Sequence, residues 1–517
     1  MQREYDRAAP HLVTVEDPLR TVGFKEQADI AYLDPHAGPP PRTAERSRLS
    51  IMCFVRTAKP KAAAAARIGA ALARRKRVEL LELLRPCFAR TQTWLQAGKY
   101  ATAVMSPIPR RNGWTIAAQA GDRTPDKTQR LLSRAVWDTF AAMGVVRRFA
   151  VAGLDEAAAK AGRRRGLAVG ALDETGQVKA GELTAGVKRQ YLGCVGKVAN
   201  GINTVHLAYV REGTGHALIG AREWIPAAQI SDPVTSQAMG LPEDLVFRTK
   251  GQLATDILTD AFADGVLLDF VCGDEVYGWC TELREFLEDH DQGYVLRVPS
   301  SFRLALPGGI TLTCKQAAAR LGRRGWEIRS AGTGSKGHRW YAWAWLGTAS
   351  ARHYLLIRRH LETGELAFHY CYLPEGQPAS PSRPVRAAGL RWPCEEDFEL
   401  GKDCFGLDQS QVRLYAAIAR HTVLVMAALA ICAVTAALLR SRTDTQAPAP
   451  VLPDQSPPAE FGMIPLTVPE TGRLLARPPP PGSATHWLGW RRCHQARSRW
   501  YHQRTRLARH AELTLVS

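Results

Sequence analysis

The chain has 517 residues, and its 68 lysines and arginines outnumber its 49 aspartates and glutamates, which gives a formal net charge of +19. Hydrophobic residues make up 45% and charged residues 23%, which excludes a wholly disordered protein, a collagen-like chain and a small disulfide scaffold. The positive excess indicates a polyanionic partner, nucleic acid or anionic lipid, and charge alone does not choose between them.

The first 160 residues divide into two parts. Residues 1 to about 60 show no sustained periodicity, and we predict a poorly defined N-terminal extension over residues 1–78. Residues 79–160 have the pattern of short helices joined by basic connections such as Arg110–Trp114, which predicts a helical DNA-binding region. The Ala-rich basic run Lys61–Arg77 is predicted to be helical, and a merely solvated face is the alternative to a DNA contact there.

Residues 161–300 alternate between strand and helix patterns. An apolar run at 167–172 ends at Asp173, and a second run at 266–272 ends just before Asp274. A predicted hairpin and a helical repeat that begins at Leu253 lie between the two runs. Strands alternating with helices predict a mixed α/β sheet with covering helices.

The C-terminal part of the chain changes character three times. Residues 301–380 combine several tryptophans with many glycines and arginines, and we predict a β-rich insertion. Residues 381–445 are predicted to form C-terminal helices. Residues 446–517 are predicted to be a Pro-rich linker followed by a basic tail.

One segment bears on membrane association. Thr422–Leu439 is an uncharged stretch of 18 residues, at the lower limit for a membrane span. Because it is rich in alanine and has basic residues at both ends, we predict a buried core helix, with a membrane-anchored protein as the alternative. The eleven cysteines are scattered and the N-terminus lacks an apolar core, which predicts reduced thiols, no secretory signal and a cytoplasmic location.

Three acids are candidates for chemistry. Asp173 and Asp274 each end an apolar run, where functional acids are common in α/β proteins but plain turn formers are common too. Glu395 lies between Arg391 and Lys402, and the three side chains fall within roughly 40° of one another around a helix. Pro393 fits that helix only in its first turn. A salt-bridged surface face is the alternative.

Together these acids suit a metal-dependent reaction on DNA. Carboxylate oxygens are the ligands that Mg²⁺ prefers, and two ions about 4 Å apart stabilise the attacking and leaving oxygens of a phosphoryl transfer. The flanking cations would then bind phosphates. We predict DNA contacts from six basic residues: Arg391, Lys402, Arg111, Lys336, Arg491 and Arg492.

Several ordered motifs make the sequence familiar. They include Leu172-Asp173-Glu174-Thr175-Gly176, Gly273-Asp274-Glu275-Val276-Tyr277-Gly278 and Arg391-Trp392-Pro393 followed by Glu395-Glu396-Asp397-Phe398. With these motifs, the chain resembles the DDE transposases of bacterial insertion sequences, the IS-four superfamily, and most closely its IS-seven-hundred-one family. The resemblance extends over about residues 80 to 510.

The resemblance implies a fold, a reaction and partners. The fold would be an RNase H-like mixed-sheet catalytic core with a β-rich insertion, preceded by a helical region. The family's three acids carry over to Asp173, Asp274 and Glu395, which would bind two Mg²⁺ ions, with Mn²⁺ as a substitute. The partners would be double-stranded DNA, at the element ends and at the target, and a second copy in a homodimer, without a membrane, in the bacterial nucleoid.

Two departures from the family pattern stand out. The wider superfamily often has tyrosine three residues before the signature arginine, where this chain has Ala388, and Cys394 stands where an aliphatic residue is usual. An inactivated or domesticated relative that only binds DNA is therefore the alternative function. The presence of all three acids argues for the enzyme.

Overall fold

The computed structural model describes residues 64–163, 165–334, 337–446 and 463–475, all within one compact unit, Lys59–Ser517. Most of the predicted N-terminal extension lies outside the described residues, as do Lys336 and the tail with Arg491 and Arg492.

Five α-helices precede the sheet in the part of the chain that the structure describes. Asn112 begins the third of them with a capping box. Its side chain accepts hydrogen bonds from backbone N–H groups, and the hydroxyl of Thr115 accepts one from the backbone N–H of Asn112. Phe88 stacks on Trp137 with ring centroids 4.9 Å apart, which joins the chain before the second helix to the start of the fifth. The helices are α1 (64–84), α2 (Thr91–Val104), α3 (Gly113–Gln119), α4 (Asp126–Ser133) and α5 (Thr139–Lys160).

The centre of the fold is a large mixed sheet. Its first strands and their helices are β1 (Ala168–Val178), β2 (Lys188–Leu192), β3 (Lys197–Arg211), β4 (Gly215–Glu223), α6 (Ala227–Ser231), α7 (Pro233–Met239), α8 (Lys250–Ala263), β5 (Phe270–Gly273), α9 (Glu275–Trp279), α10 (Thr281–Asp289) and β6 (Tyr294–Val298). In the described residues β1 lies between antiparallel β3 and parallel β5, and β6 follows β5 in parallel. All of β5 is buried, as expected of a parallel strand covered on both faces.

The strands after residue 300 continue this sheet. Antiparallel pairing of β6 with β12 adds the order β12-β11-β10-β9 to its edge, while β7 and β8 form a separate pair. The segment predicted as a β-rich insertion is thus strand-rich and shares the central sheet. Its elements are β7 (Arg303–Ala305), β8 (Thr311–Thr313), α11 (Cys314–Ala319), β9 (Glu327–Gly334), β10 (Gly337–Gly347), β11 (His353–His360) and β12 (Leu366–Tyr372).

The remaining helices complete the core. They are α12 (Ser382–Gly389), α13 (Pro393–Phe405), α14 (Tyr415–Thr443) and α15 (Val468–Leu475). Among the described residues α14 is the one helix long and apolar enough to cross a membrane, yet 83% of its most apolar 18-residue window is buried inside the protein. It packs closely on α5, where a Cβ added at Gly153 would come 2.5 Å from Val434. This burial favours the predicted core helix over a span.

The mixed sheet with helices before and after it confirms the predicted α/β, RNase H-like fold class. One local prediction was wrong. The chain was expected to leave its strand at Asp173, but β1 runs on to Val178 because its second half pairs with β3 as far as Gly201.

Candidate active site

Asp173 and Asp274 lie beside each other because their strands are parallel neighbours. The ladder aligns Ala171 of β1 with Cys272 of β5, so each acid comes two residues after the last aligned pair. Asp274 follows the end of β5 and caps α9, where its side chain accepts a 2.9 Å hydrogen bond from the backbone N–H of Val276. The sheet thus brings together two acids that are about a hundred residues apart in sequence.

Glu395 reaches the same place from the first turn of α13. That helix has Pro393 at its N-terminal position, as the sequence required. Arg391 lies just before the helix, and its guanidinium joins two of the acids. Nη1 donates a 2.8 Å hydrogen bond to Oδ2 of Asp173, and Nη2 donates one of 2.5 Å to Oε1 of Glu395.

An open cleft of about 670 Å³ lies over this cluster. Glu395 and Lys402 both line it, since seven residues make two turns of α13 and return to the same helix face. The predicted trio of Arg391, Glu395 and Lys402 is therefore gathered at one site. The other lining residues include Asp173, Glu174, Tyr191, Cys194, Asn203, Lys250 and Glu399.

Burial disfavours the charged form of two of these acids, Asp173 and Asp274. Burial raises the pKa of Asp173 to about 6, against the opposing effect of Arg391 and with a further contribution from Asp274. Burial also raises the pKa of Asp274, and the charge of Glu174 adds to the shift. Acids that are buried close together require neutralisation by protons or by cations, and perturbed groups in a cleft are typical of functional sites.

The sequence matches the family described as DDE superfamily endonuclease over residues 83–352, more than half of the chain. The chain belongs to this endonuclease superfamily. The matched region contains the strands that carry Asp173 and Asp274 and ends before Glu395. None of the curated proteins compared with the chain matches it.

The donor chemistry of this acid cluster suits a divalent cation, although its acids are not assembled as ligands. Among the described residues no three His, Cys, Asp or Glu side chains are grouped closely enough to hold a metal ion. The guanidinium of Arg391 stands between Asp173 and Glu395 and supplies the positive charge there. Hard carboxylate oxygens around a cationic position fit Mg²⁺ or Mn²⁺ in their chemistry.

Sequence reasoning missed a fourth acid. Glu174 forms an ion pair with Lys250 at the start of α8 and accepts a 3.0 Å hydrogen bond from the hydroxyl of buried Tyr277. Its position directly after Asp173 was the available signal, but its partners come from about 76 and 103 residues away. Lys250 thereby adds a second lysine to the cleft wall beside Lys402.

Arg111 has a different place from the one predicted. Its side chain is buried, with the residue only 6% exposed, and its guanidinium donates hydrogen bonds to the backbone carbonyls of Val104, Ser106 and Cys404. These bonds tie the helix α2 region to the end of α13. The guanidinium therefore stabilises the packing of these helices, and Arg111 is not part of the DNA interface proposed below.

Proposed function

We propose that this protein is a transposase that binds the ends of an insertion sequence, cleaves the DNA there and joins the freed 3′ ends to target DNA. The observation that carries the proposal is the meeting of Asp173 and Glu395 on the guanidinium of Arg391, with Asp274 on the adjacent parallel strand. Membership of the DDE endonuclease superfamily supports the same reaction class.

The residues divide into two groups by charge. Asp173, Asp274 and Glu395 would hold divalent cations, Mg²⁺ or in its place Mn²⁺. A bound pair of such ions supplies charge neutralisation for the attacking and leaving oxygens of an in-line phosphoryl transfer. Lys402 lines the cleft, and Arg391 contacts two acids that line it, so both are cations to which a DNA phosphate could bind by charge-assisted hydrogen bonds.

Double-stranded DNA is the proposed partner because the net charge of +19 suits a polyanion. Two element ends must be paired before strand transfer, so we propose a homodimer in the synaptic complex. The burial of α14 favours a core helix over a membrane span, and we propose a cytoplasmic protein associated with the nucleoid.

The decisive experiment separates cleavage from binding. Asp274→Asn removes one carboxylate charge while keeping the side-chain shape, so we expect unchanged binding of a labelled element end and no detectable strand cleavage with Mg²⁺. Asp289→Asn, at an exposed acid in the last turn of α10, is the matched control and should cleave normally. Normal cleavage by Asp274→Asn would refute the assignment.

A non-catalytic DNA-binding relative is the second candidate. The ion pairs that Arg391 makes with Asp173 and Glu395 favour it, because they occupy carboxylate oxygens that a metal would need. In the same assay this candidate predicts that the unaltered protein binds element ends but leaves them uncut with either Mg²⁺ or Mn²⁺.

A further inference from the structure

A hairpin formed by β2 and the start of β3 makes one wall of the acid cleft. Tyr191 and Cys194, at the end of β2 and in the connecting turn, line the same cleft as Asp173 and Glu395. The turn closes at Gly196 with a φ of 62°, a left-handed conformation that favours glycine. The tip of the hairpin is therefore next to the proposed site of cleavage.

The hairpin is anchored near its tip. Leu192 is fully buried, and a Cβ added at Gly176 of β1 would come 3.0 Å from its side chain and 3.5 Å from the sulfur of Cys194. The tip thus packs on β1 only three residues beyond Asp173. A surface held in this way can bind a ligand without a large loss of conformational entropy.

Apolar side chains nevertheless face solvent on this anchored hairpin, and two of them form a pair. Tyr191 is 64% exposed and Val198 is 53% exposed. They are directly opposite each other in the β2–β3 ladder, so they lie on the same face, and Arg189 shares that face two residues before Tyr191. An exposed aromatic and aliphatic pair fixed beside a cleft is a candidate contact surface.

The charge around this pair selects the class of partner. Residues 188–198 contain three cations and no acid, and the cations Lys188, Arg189 and Lys197 are all exposed. A tyrosine ring among cations fits a nucleic-acid strand, since the ring stacks on a base while the cations bind the backbone phosphates. Anionic lipid would satisfy the cations, but it does not reach a concave wall shared with carboxylates.

We infer that the β2–β3 hairpin binds an unpaired nucleotide of the DNA strand next to the cleft, with Tyr191 stacked on the base and Arg189, on the same face, against a flanking phosphate. This inference rests on the proposed function, because it takes the DNA in the cleft as given. It assigns to the hairpin a preference for DNA ends with an unpaired base over fully paired ends.

The test measures binding in EDTA, so that cleavage plays no part. The probes are a fully paired DNA end and the same end with an unpaired overhang that carries the fluorescent base 2-aminopurine. We expect the unaltered protein to bind the overhang more tightly and to quench its fluorescence. Tyr191→Ala should lose on the order of tenfold in affinity for the overhang, with duplex affinity unchanged, whereas Tyr191→Phe should retain the preference.

Two controls complete the design. Val234→Ala alters an exposed side chain on α7 and should bind both probes normally. Replacing Arg189 by alanine should reduce the salt dependence of binding for both probes. Equal affinity of Tyr191→Ala and the unaltered protein for the overhang, or an equal loss on both probes, would overturn the inference. If the unaltered protein binds neither probe, the proposed function itself fails.

Discussion

A buried ion pair fastens the helix that carries Glu395. Nδ1 of His216 on β4 lies 2.9 Å from Oδ1 of Asp397 on α13, and Nε2 lies 3.3 Å from Oε2 of Glu396. Burial opposes a charged imidazole, but the two carboxylates outweigh it and raise the pKa of His216 to about 10. His216 is therefore charged at neutral pH and neutralises Asp397, which is 0% exposed.

His216→Gln removes this charge and leaves Asp397 buried without a counterion. Breaking a buried pair by removing one partner costs about 3–5 kcal/mol. With an unfolding entropy of about 2.1 cal/mol/K per residue, the Tm should fall by roughly 3–5 °C in a chain of this length. Differential scanning calorimetry at pH 7 measures the shift. Glu285→Gln, at an exposed acid of α10, is the control and should have the same Tm as the unaltered protein.

The pH dependence gives a second measurement of the same pair. Because the pKa of His216 is higher in the folded protein than its ordinary value of about 6.5, the folded state binds the proton more tightly. The stabilisation of the folded state by protonated His216 is complete below pH 6.5 and is lost as the pH rises towards 10. The difference in Tm between the unaltered protein and His216→Gln should therefore shrink over that range. Adding Asp397→Asn to His216→Gln should recover most of the lost stability. A difference that stays constant from pH 6 to pH 10 would refute this explanation.

Three further predictions concern packing and the acid cluster. Gly389→Ala should lower the free energy of unfolding by about 1–3 kcal/mol, because the added Cβ would overlap the carbonyl oxygen of Ala331. Gly347 has open space around it, so Gly347→Ala is the control and should not lower the free energy of unfolding. Urea unfolding compares the two variants. Burial and neighbouring acids raise the pKa of Asp173 to about 6, so ionisation of Asp173 lowers the stability of the folded protein as the pH rises from 4 to 6. Without divalent cations, Asp173→Asn should therefore raise the Tm at pH 7 and have little effect on it at pH 4. A lower Tm at pH 7 would contradict this. Ile431→Ala in the middle of α14 should lower the free energy of unfolding by about 2–5 kcal/mol, because the side chain is fully buried. Urea unfolding of protein purified without detergent measures the loss. If the protein requires detergent, α14 is a membrane span instead.

The sequence alone was sufficient where local pattern and chain order determine position. Apolar runs that end near Asp173 and Asp274 predict buried strands, and parallel pairing of such strands places the residues that follow them at the same edge of the sheet. Pro393 likewise indicated where α13 begins, because proline is compatible with a helix only in its first turn. Helical periodicity then put Glu395 and Lys402 on one face.

Tertiary structure decided what depends on partners far away in the chain. The continuation of β1 past Asp173 requires β3, and the path of the insertion strands into the central sheet requires the β6–β12 pairing. The interior position of Arg111 depends on carbonyl groups that only the packed helices present. The charge and periodicity of side chains in the sequence indicate local conformation. Which partner neutralises a given charge depends on the three-dimensional packing. For that reason the sequence by itself identified the acids, and only the fold determined that Arg391 joins two of them.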